Sequence, residues 1–183
     1  MSDITVAILT VSDRCSRDET VDTSGPALAQ MVRERLHGHV MAMVCVPDEI
    51  DVIAVQLSAW AHQSPRPDLI LTTGGTGLAP RDVTPEATRR VLERPHPALL
   101  ELARLRCYEK TPRTFLSRGE AGTIGRSLVI NLPGSLCGAT EMFEAILDIL
   151  PHGIETLRGE IQDDGRPDAI ASTGRVVVHE NGK

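Results

Sequence analysis

Leu69-Ile70-Leu71-Thr72-Thr73-Gly74-Gly75-Thr76-Gly77-Leu78-Ala79-Pro80-Arg81-Asp82-Val83-Thr84-Pro85-Glu86 decides the reading of this chain. It opens on an apolar run of strand length, crosses a loop of glycines and threonines, passes an Arg-Asp pair, and reaches a helix start at Thr84-Pro85. Glycines let backbone N–H groups approach an anion closely, and threonine hydroxyls add donors, so Gly74, Gly75, Thr76 and Gly77 form a candidate phosphate cradle. Gly-rich strand-to-helix turns also occur without any ligand, so the glycines alone decide little. No G-x-x-x-x-G-K-[ST] is present and no G-x-G-x-x-G follows a strand, which excludes a P-loop and a dinucleotide-binding unit. Thr84 as a cap and Pro85 in the first turn explain the helix start, but neither task needs Arg81 or Asp82.

Upstream, Ile4 to Val11 reads as a strand buried on both faces, ending at Ser12-Asp13. A polar loop, Arg14 to Thr23, leads to a helix starting at Ser24-Gly25-Pro26 and running to about Leu36. Val40 to Val46 is a second strand closed by Pro47. Ile50, Ile53, Ala54, Leu57, Trp60 and Ala61 then fall on one helix face, with Asp48 where a helix cap would stand. Ser64-Pro65-Arg66-Pro67 breaks that helix before the central strand. Strand and helix alternate, which predicts an α/β fold with a mostly parallel central sheet and right-handed crossovers. In such sheets the loops after the strands share one edge, so Ser12-Asp13, Asp48-Glu49 and the glycine loop are expected around a common cleft.

Downstream, the pattern predicts helices from Pro85 to about Arg94, from Ala98 to Lys110, from Glu141 to Leu150 and from Pro151 to Gln162. Thr114 to Arg118 and Ser127 to Asn131 read as strands around Gly119, Gly122 and Gly125, a small antiparallel strand pair. Leu132-Pro133-Gly134-Ser135 is a turn on the ligand edge. The expected organisation is a three-layer αβα domain over residues 1-162 and a flexible polar tail over 163-183, with Val176-Val177-Val178 as its one apolar triplet.

The 183 residues are a single-domain length, and aromatics are only 2%, so the core must come from Leu, Val, Ile and Ala and few rings are left to stack on a base. A net charge of −6 argues against a nucleic-acid or anionic-membrane surface. No 18-residue apolar run and no basic-then-apolar N-terminus is present, which points to a cytoplasmic protein without a membrane segment. Cys15, Cys45, Cys107 and Cys137 form no C-x-x-C pair and read as reduced structural thiols; His37-Gly38-His39 reads as a turn. Carboxylates such as Asp48 and Asp82 beside a phosphate cradle repel the ligand unless a divalent cation lies between them. Mg²⁺ held by one or two carboxylates plus substrate phosphates is the usual solution, which points to nucleotidyl or phosphoryl transfer.

Thr72 to Thr88 resembles the signature of the molybdopterin-binding domain shared by molybdopterin adenylyltransferases, MoaB proteins and the G domains of Cnx1 and gephyrin. Leu9-Thr10-Val11-Ser12-Asp13, Val46-Pro47-Asp48-Glu49-Ile50, Leu116-Ser117-Arg118 and Ile130-Asn131-Leu132-Pro133-Gly134-Ser135 match in the same order, so the likeness covers roughly residues 4 to 162. The resemblance implies Mg²⁺- and ATP-dependent adenylylation of molybdopterin with release of pyrophosphate. It implies Asp48 and Asp82 as catalytic carboxylates and metal ligands. Gly74, Gly75, Thr76 and Gly77 would hold the pterin phosphate, and Ser12, Asp13, Ser117, Asn131, Pro133, Gly134 and Ser135 would line the cleft. It further implies a homotrimer and a molybdenum insertase as partner. Two rivals stand beside it. A non-catalytic molybdopterin-binding or scaffolding module of MoaB or gephyrin G type is disfavoured by the presence of both Asp48 and Asp82. A competence-damage-type nucleotide hydrolase is disfavoured by a loop that departs from its G-G-L-G-P-T. The spacing from Asp48 to Asp82 is one residue longer than in the bacterial adenylyltransferase, with the extra length in Ser64 to Pro67, before the strand.

Overall fold

The computed structural model describes residues 3–160, and the tail over 163-183 lies outside the described residues. Strands β1 (Thr5–Val11), β2 (His39–Val46), β3 (Leu69–Thr73), β4 (Arg94–Pro95), β5 (Ala121–Ile124) and β6 (Ser127–Leu132) form one sheet in the order β2-β1-β3-β6-β5-β4. The first four strands of that order are mutually parallel, and β4 and β5 run antiparallel to their neighbours. Helices α1 (Asp13–Ser16), α2 (Ser24–Glu34), α3 (Ile50–His62), α4 (Thr84–Val91), α5 (Ala98–Cys107), α6 (Leu136–Glu144) and α7 (Leu150–Arg158) complete the domain.

Alternation along the central strands builds the layers, because successive side chains leave a strand on opposite faces. Val6, Ile8, Leu69, Leu71, Leu128, Ile130 and Leu132 point into a core closed by α2, α5, α6 and α7. Ala7, Leu9, Val11, Ile70 and Val129 point the other way, against Ile53, Leu57 and Trp60 of α3 and Ala87 of α4. These strands are apolar on both faces because helices cover both, and each fully buried Leu or Ile contributes about 1.5–3 kcal/mol. From β1 the chain moves first to β2 on one side and then to β3 on the other. The carboxyl ends of β1 and β3 therefore flank the point where strand order reverses, which is where an open α/β sheet leaves a crevice.

Several expected boundaries shift. Thr114 to Arg118 is not a strand: Pro112–Leu116 forms a 3₁₀ turn with Pro112 at its start, and the antiparallel partner of β6 is Ala121–Ile124. Gly122 lies inside that strand rather than in the reversal, paired with Pro95 and Val129, and glycine fits there because a β-carbon would meet the Arg94 carbonyl oxygen at 2.5 Å. The helix expected to reach Arg94 stops at Val91, since Arg94–Pro95 joins the sheet against Thr123 and Gly122. Ser135 accepts a hydrogen bond from the Gly138 N–H and starts α6 at Leu136, five residues earlier than the apolar spacing suggests. The last helix ends at Arg158, where Gly159 takes a left-handed conformation with φ 75°.

Candidate functional site

Three loops meet at the crevice. After β1, the Ser12 N–H donates to the Val46 carbonyl (2.9 Å), and the Ser12 hydroxyl caps α1 by accepting from the Cys15 N–H. After β2, Asp48 does not cap α3 as its position suggested: Glu49 occupies that place, without a side-chain bond, and the Asp48 carboxylate turns back to accept from the Asp13 N–H at 2.8 Å. After β3, Gly74 and Gly75 adopt φ of 105° and 61°. The Gly74 N–H donates to the Leu132 carbonyl (3.2 Å), tying the loop to the end of β6. Thr84 is likewise no cap. It is the first residue of α4, and its hydroxyl donates to the Gly74 carbonyl at 2.9 Å, pinning the helix start under the glycine loop.

Both acidic residues singled out in the sequence lie against this loop. A β-carbon on Gly75 would fall 2.9 Å from Asp48 Oδ1, and one on Gly77 would fall 2.8 Å from Asp82 Oδ2. Glycine is required at position 75 twice over, since its left-handed φ strains any other residue and the added carbon would also press on Thr84 Oγ1 at 2.4 Å. The carboxylate of Asp82 accepts from the Ala79 N–H (2.8 Å), closing the turn before α4. Partial burial, with the nearby Asp13 and Asp82 charges adding to it, raises the Asp48 pKa above the usual carboxylate value.

Two arginines brace the loop from outside. Arg81 forks onto both carboxylate oxygens of Asp13 (3.0 and 2.9 Å) and reaches Glu49 (2.9 Å), which holds the Asp13 carboxyl below its ordinary pKa. Arg118 donates to the carbonyls of Gly77 (2.8 Å) and Asp82 (2.6 Å) and pairs with Glu86, so its charge is spent on the loop's own backbone.

The crevice has two lobes that share Gly75, Asp82 and Gly134. The larger, about 580 Å³, is lined by Thr76, Gly77, Ser117, Pro133 and Ser135 among the expected residues. The smaller, about 340 Å³, is lined by Ser12, Gly74 and Asp48. Asp13 lines neither lobe and serves Asp48 and Arg81 instead. Asn131, expected in the cleft, also lies outside it. Its side chain is fully buried and bonded at every polar atom: Nδ2 donates to Thr72 and Thr88 hydroxyls (3.0 Å each) and Oδ1 accepts from the Glu120 N–H (3.0 Å). It ties β6 to β3, α4 and the segment before β5. Residues the sequence reading missed include Lys110, Arg113, Thr114 and Glu141 in the larger lobe and Thr10 and Asp22 in the smaller. Asp22 had a readable signal, three residues before Gly25 at a helix start, and it accepts from the Gly25 N–H (3.0 Å) and the Thr10 hydroxyl (2.6 Å).

This set of groups suits a phosphate-bearing small molecule held together with a cation. Gly75, Thr76 and Gly77 line the crevice with their backbone, and Asp48 and Asp82 lie against this loop with no ion pair to a side chain among the described residues. Also among the described residues, no three His, Cys, Asp or Glu side chains cluster as a ready metal cage. A hard cation carried in by substrate phosphates needs only one or two carboxylates. The fold and site are thus those of an open α/β domain with its crevice at the topological switch point, where such sheets take their ligands. The chain belongs to the molybdopterin-binding family: residues 7–152 match the family described as "Probable molybdopterin binding domain". It is 42% identical over 161 residues to the molybdenum cofactor synthesis protein cinnamon of Drosophila melanogaster, covering 88% of this chain but only 27% of the fly protein. It is 36% identical over 160 residues to the molybdopterin adenylyltransferase of Helicobacter pylori, covering 87% of this chain and 90% of that enzyme. The crystal structure of the molybdopterin biosynthesis enzyme MoaB from Thermus thermophilus superposes with a TM-score of 0.80 at 49% identity, covering 85% of this chain and 97% of that one. Among the described residues, no helix is long and apolar enough to cross a membrane.

Proposed function

We propose that the chain is a nucleotidyltransferase of molybdenum cofactor biosynthesis that adenylylates molybdopterin at the expense of ATP. A terminal phosphate oxygen of the pterin attacks the α-phosphorus of ATP; the new P–O bond gives adenylyl-molybdopterin as the bond to the β-phosphate oxygen breaks and pyrophosphate leaves. The observation that carries this reading is that Asp48 and Asp82 both line the smaller lobe beside one glycine-threonine loop, each close enough to touch a β-carbon added there. A pure binding module has no use for two uncompensated carboxylates beside a phosphate, whereas phosphoryl chemistry does.

Asp48 and Asp82 are the residues that would hold Mg²⁺, which when bound neutralises phosphate charge and polarises phosphoryl oxygens. The loop orients a phosphate through the backbone N–H groups of Gly75 to Gly77, since that of Gly74 is held by Leu132, and its rigidity comes from Thr84 and Arg118. Ser117 and Ser135 offer hydroxyls at the larger lobe, and Ser12 at the smaller. Asp13 positions Asp48 rather than touching substrate. The homotrimer, the insertase partner and the cytoplasmic location carried by the family likeness are part of the same reading, as is a domain bounded at residue 162. Pyrophosphate release from Mg-ATP, measured with and without molybdopterin, tests the proposal. Release that depends on molybdopterin is expected; binding of molybdopterin without any release assigns the chain to the non-catalytic binders.

A further inference from the structure

The two lobes differ in charge. The smaller one carries Asp22, Asp48 and Asp82 and no basic side chain, whereas the larger sets Lys110 and Arg113 against Asp82 and Glu141. Lys110 and Arg113 make no ion pair or side-chain hydrogen bond among the described residues. The neighbouring arginines turn to backbone carbonyls: Arg104 Nη2 donates to Gly119 (3.1 Å), with its Nε buried and unpaired among the described residues, and Arg118 donates to Gly77 and Asp82. Thr114 lines the same lobe as Lys110 and Arg113 and is 7% exposed, and its buried hydroxyl has no hydrogen-bond partner among the described residues. A buried hydroxyl left unpaired costs stability and calls for an explanation. The backbone fixes this corner. Thr111 donates its N–H to the Cys107 carbonyl (2.9 Å), Thr114 donates to that of Thr111 (3.1 Å), and Pro112 sets the first turn of the 3₁₀ segment.

We propose that Lys110, Arg113 and Thr114 form a second phosphate subsite, separate from the glycine-threonine loop and reached across the larger lobe. An ammonium, a guanidinium fork and a hydroxyl are all hydrogen-bond donors suited to a hard oxyanion. Asp82 and Gly75 border both lobes, so a polyphosphate lying on the glycine loop extends toward this corner. The assignment of the subsite to a substrate rests on the adenylyl-transfer reading. Its ligand is either the terminal phosphates of ATP, which leave as pyrophosphate, or the phosphate monoester of the pterin.

Calorimetric titration of the full chain with inorganic phosphate and with pyrophosphate tests the subsite without any turnover. The wild type is expected to bind at least one of them at millimolar concentration or below. The double variant K110Q/R113Q should weaken that binding about tenfold or more, since charge-assisted bonds are the strong ones. Thr114→Val should weaken it a few-fold while keeping or raising the melting temperature, since it removes an unpaired buried hydroxyl, Thr114→Ser should restore it, and the double variant should leave the melting temperature unchanged. A larger loss for pyrophosphate together with a raised KM for ATP assigns the corner to the ATP phosphates. A loss for phosphate together with a raised KM for molybdopterin assigns it to the pterin. Anion binding that is undetectable in the wild type, or unchanged in the double variant, overturns the subsite while leaving adenylyl transfer standing. Intact variant-sensitive anion binding in a chain that releases no pyrophosphate from ATP overturns the transfer reading instead.

Discussion

Asp13 and Asp48 hold each other by exchange: the Asp13 N–H donates to Asp48 Oδ2 at 2.8 Å, and the Asp48 N–H donates to Asp13 Oδ1 at 3.2 Å. Two like charges are thereby locked side by side, and Arg81 offsets the outer one with a two-pronged contact. The consequence is a carboxylate, Asp48, aimed at the glycine loop by a partner that never reaches the substrate lobes.

We predict that Arg81→Gln lowers kcat/KM by about fivefold to tenfold, because an uncompensated Asp13 beside Asp48 repels incoming phosphates. Arg81 is exposed, so the loss should shrink at high salt, and the melting temperature should move by only about 2 °C or less. Steady-state kinetics at low and high ionic strength, with a melting curve, decide it. A large drop in stability would show that the fork holds the fold rather than the site.

Gly75→Ala is expected to cost about 1–3 kcal/mol of stability, from the strain of a left-handed alanine and from its contact with the Thr84 hydroxyl. Molybdopterin affinity should fall with it, since the same carbon crowds Asp48. Chemical denaturation and equilibrium binding on one preparation check both. Normal stability combined with normal binding would remove the loop's close-approach role.

Asp68 anchors the far end of the sheet. Burial opposes its ionisation, yet Arg158 (2.9 and 2.7 Å) and Thr5 (2.8 and 2.6 Å) outweigh that and hold its carboxyl below the usual range. A carboxylate whose pKa is depressed on folding stabilises the protein above its unfolded value, near 3.9, and that stability is lost as pH falls through the folded value. Arg158→Met should therefore destabilise by on the order of 3 kcal/mol at pH 7, the cost of stranding a buried charge, and by much less below about pH 4. Melting temperatures of both proteins across that range test it; a gap that stays constant with pH would contradict it.

The central sheet and both helix layers were legible because alternation and helical spacing report burial, and β1, β3 and β6 are buried on both faces. The antiparallel strand was misplaced because Thr114 to Arg118 is β-branched and apolar enough to imitate a strand, while the true strand carries Gly122 for the close approach of Arg94. Asp82 could be picked out because the helix that follows it does not need it, whereas Asp48 stands in the sequence where a helix cap would and is singled out by its place after a strand and by the family resemblance. Lys110, Arg113 and Thr114 could not: a polar helix end such as Lys110 looks the same whether it faces solvent or a lobe, and Thr114 reads as the start of a strand. Asn131 misled in the opposite sense: the family resemblance implies a place in the cleft, but here its side chain bonds two buried threonines.

The account stands or falls on Asp82→Asn, studied by paired measurement of molybdopterin binding and molybdopterin-dependent ATP consumption. The amide oxygen can still accept from the Ala79 N–H, so the turn should survive. We predict molybdopterin affinity equal to or better than wild type, with turnover reduced on the order of a hundredfold or more, as loss of about 3 kcal/mol of transition-state stabilisation requires. Near-normal turnover in this variant would contradict the account by removing Asp82 from the chemistry.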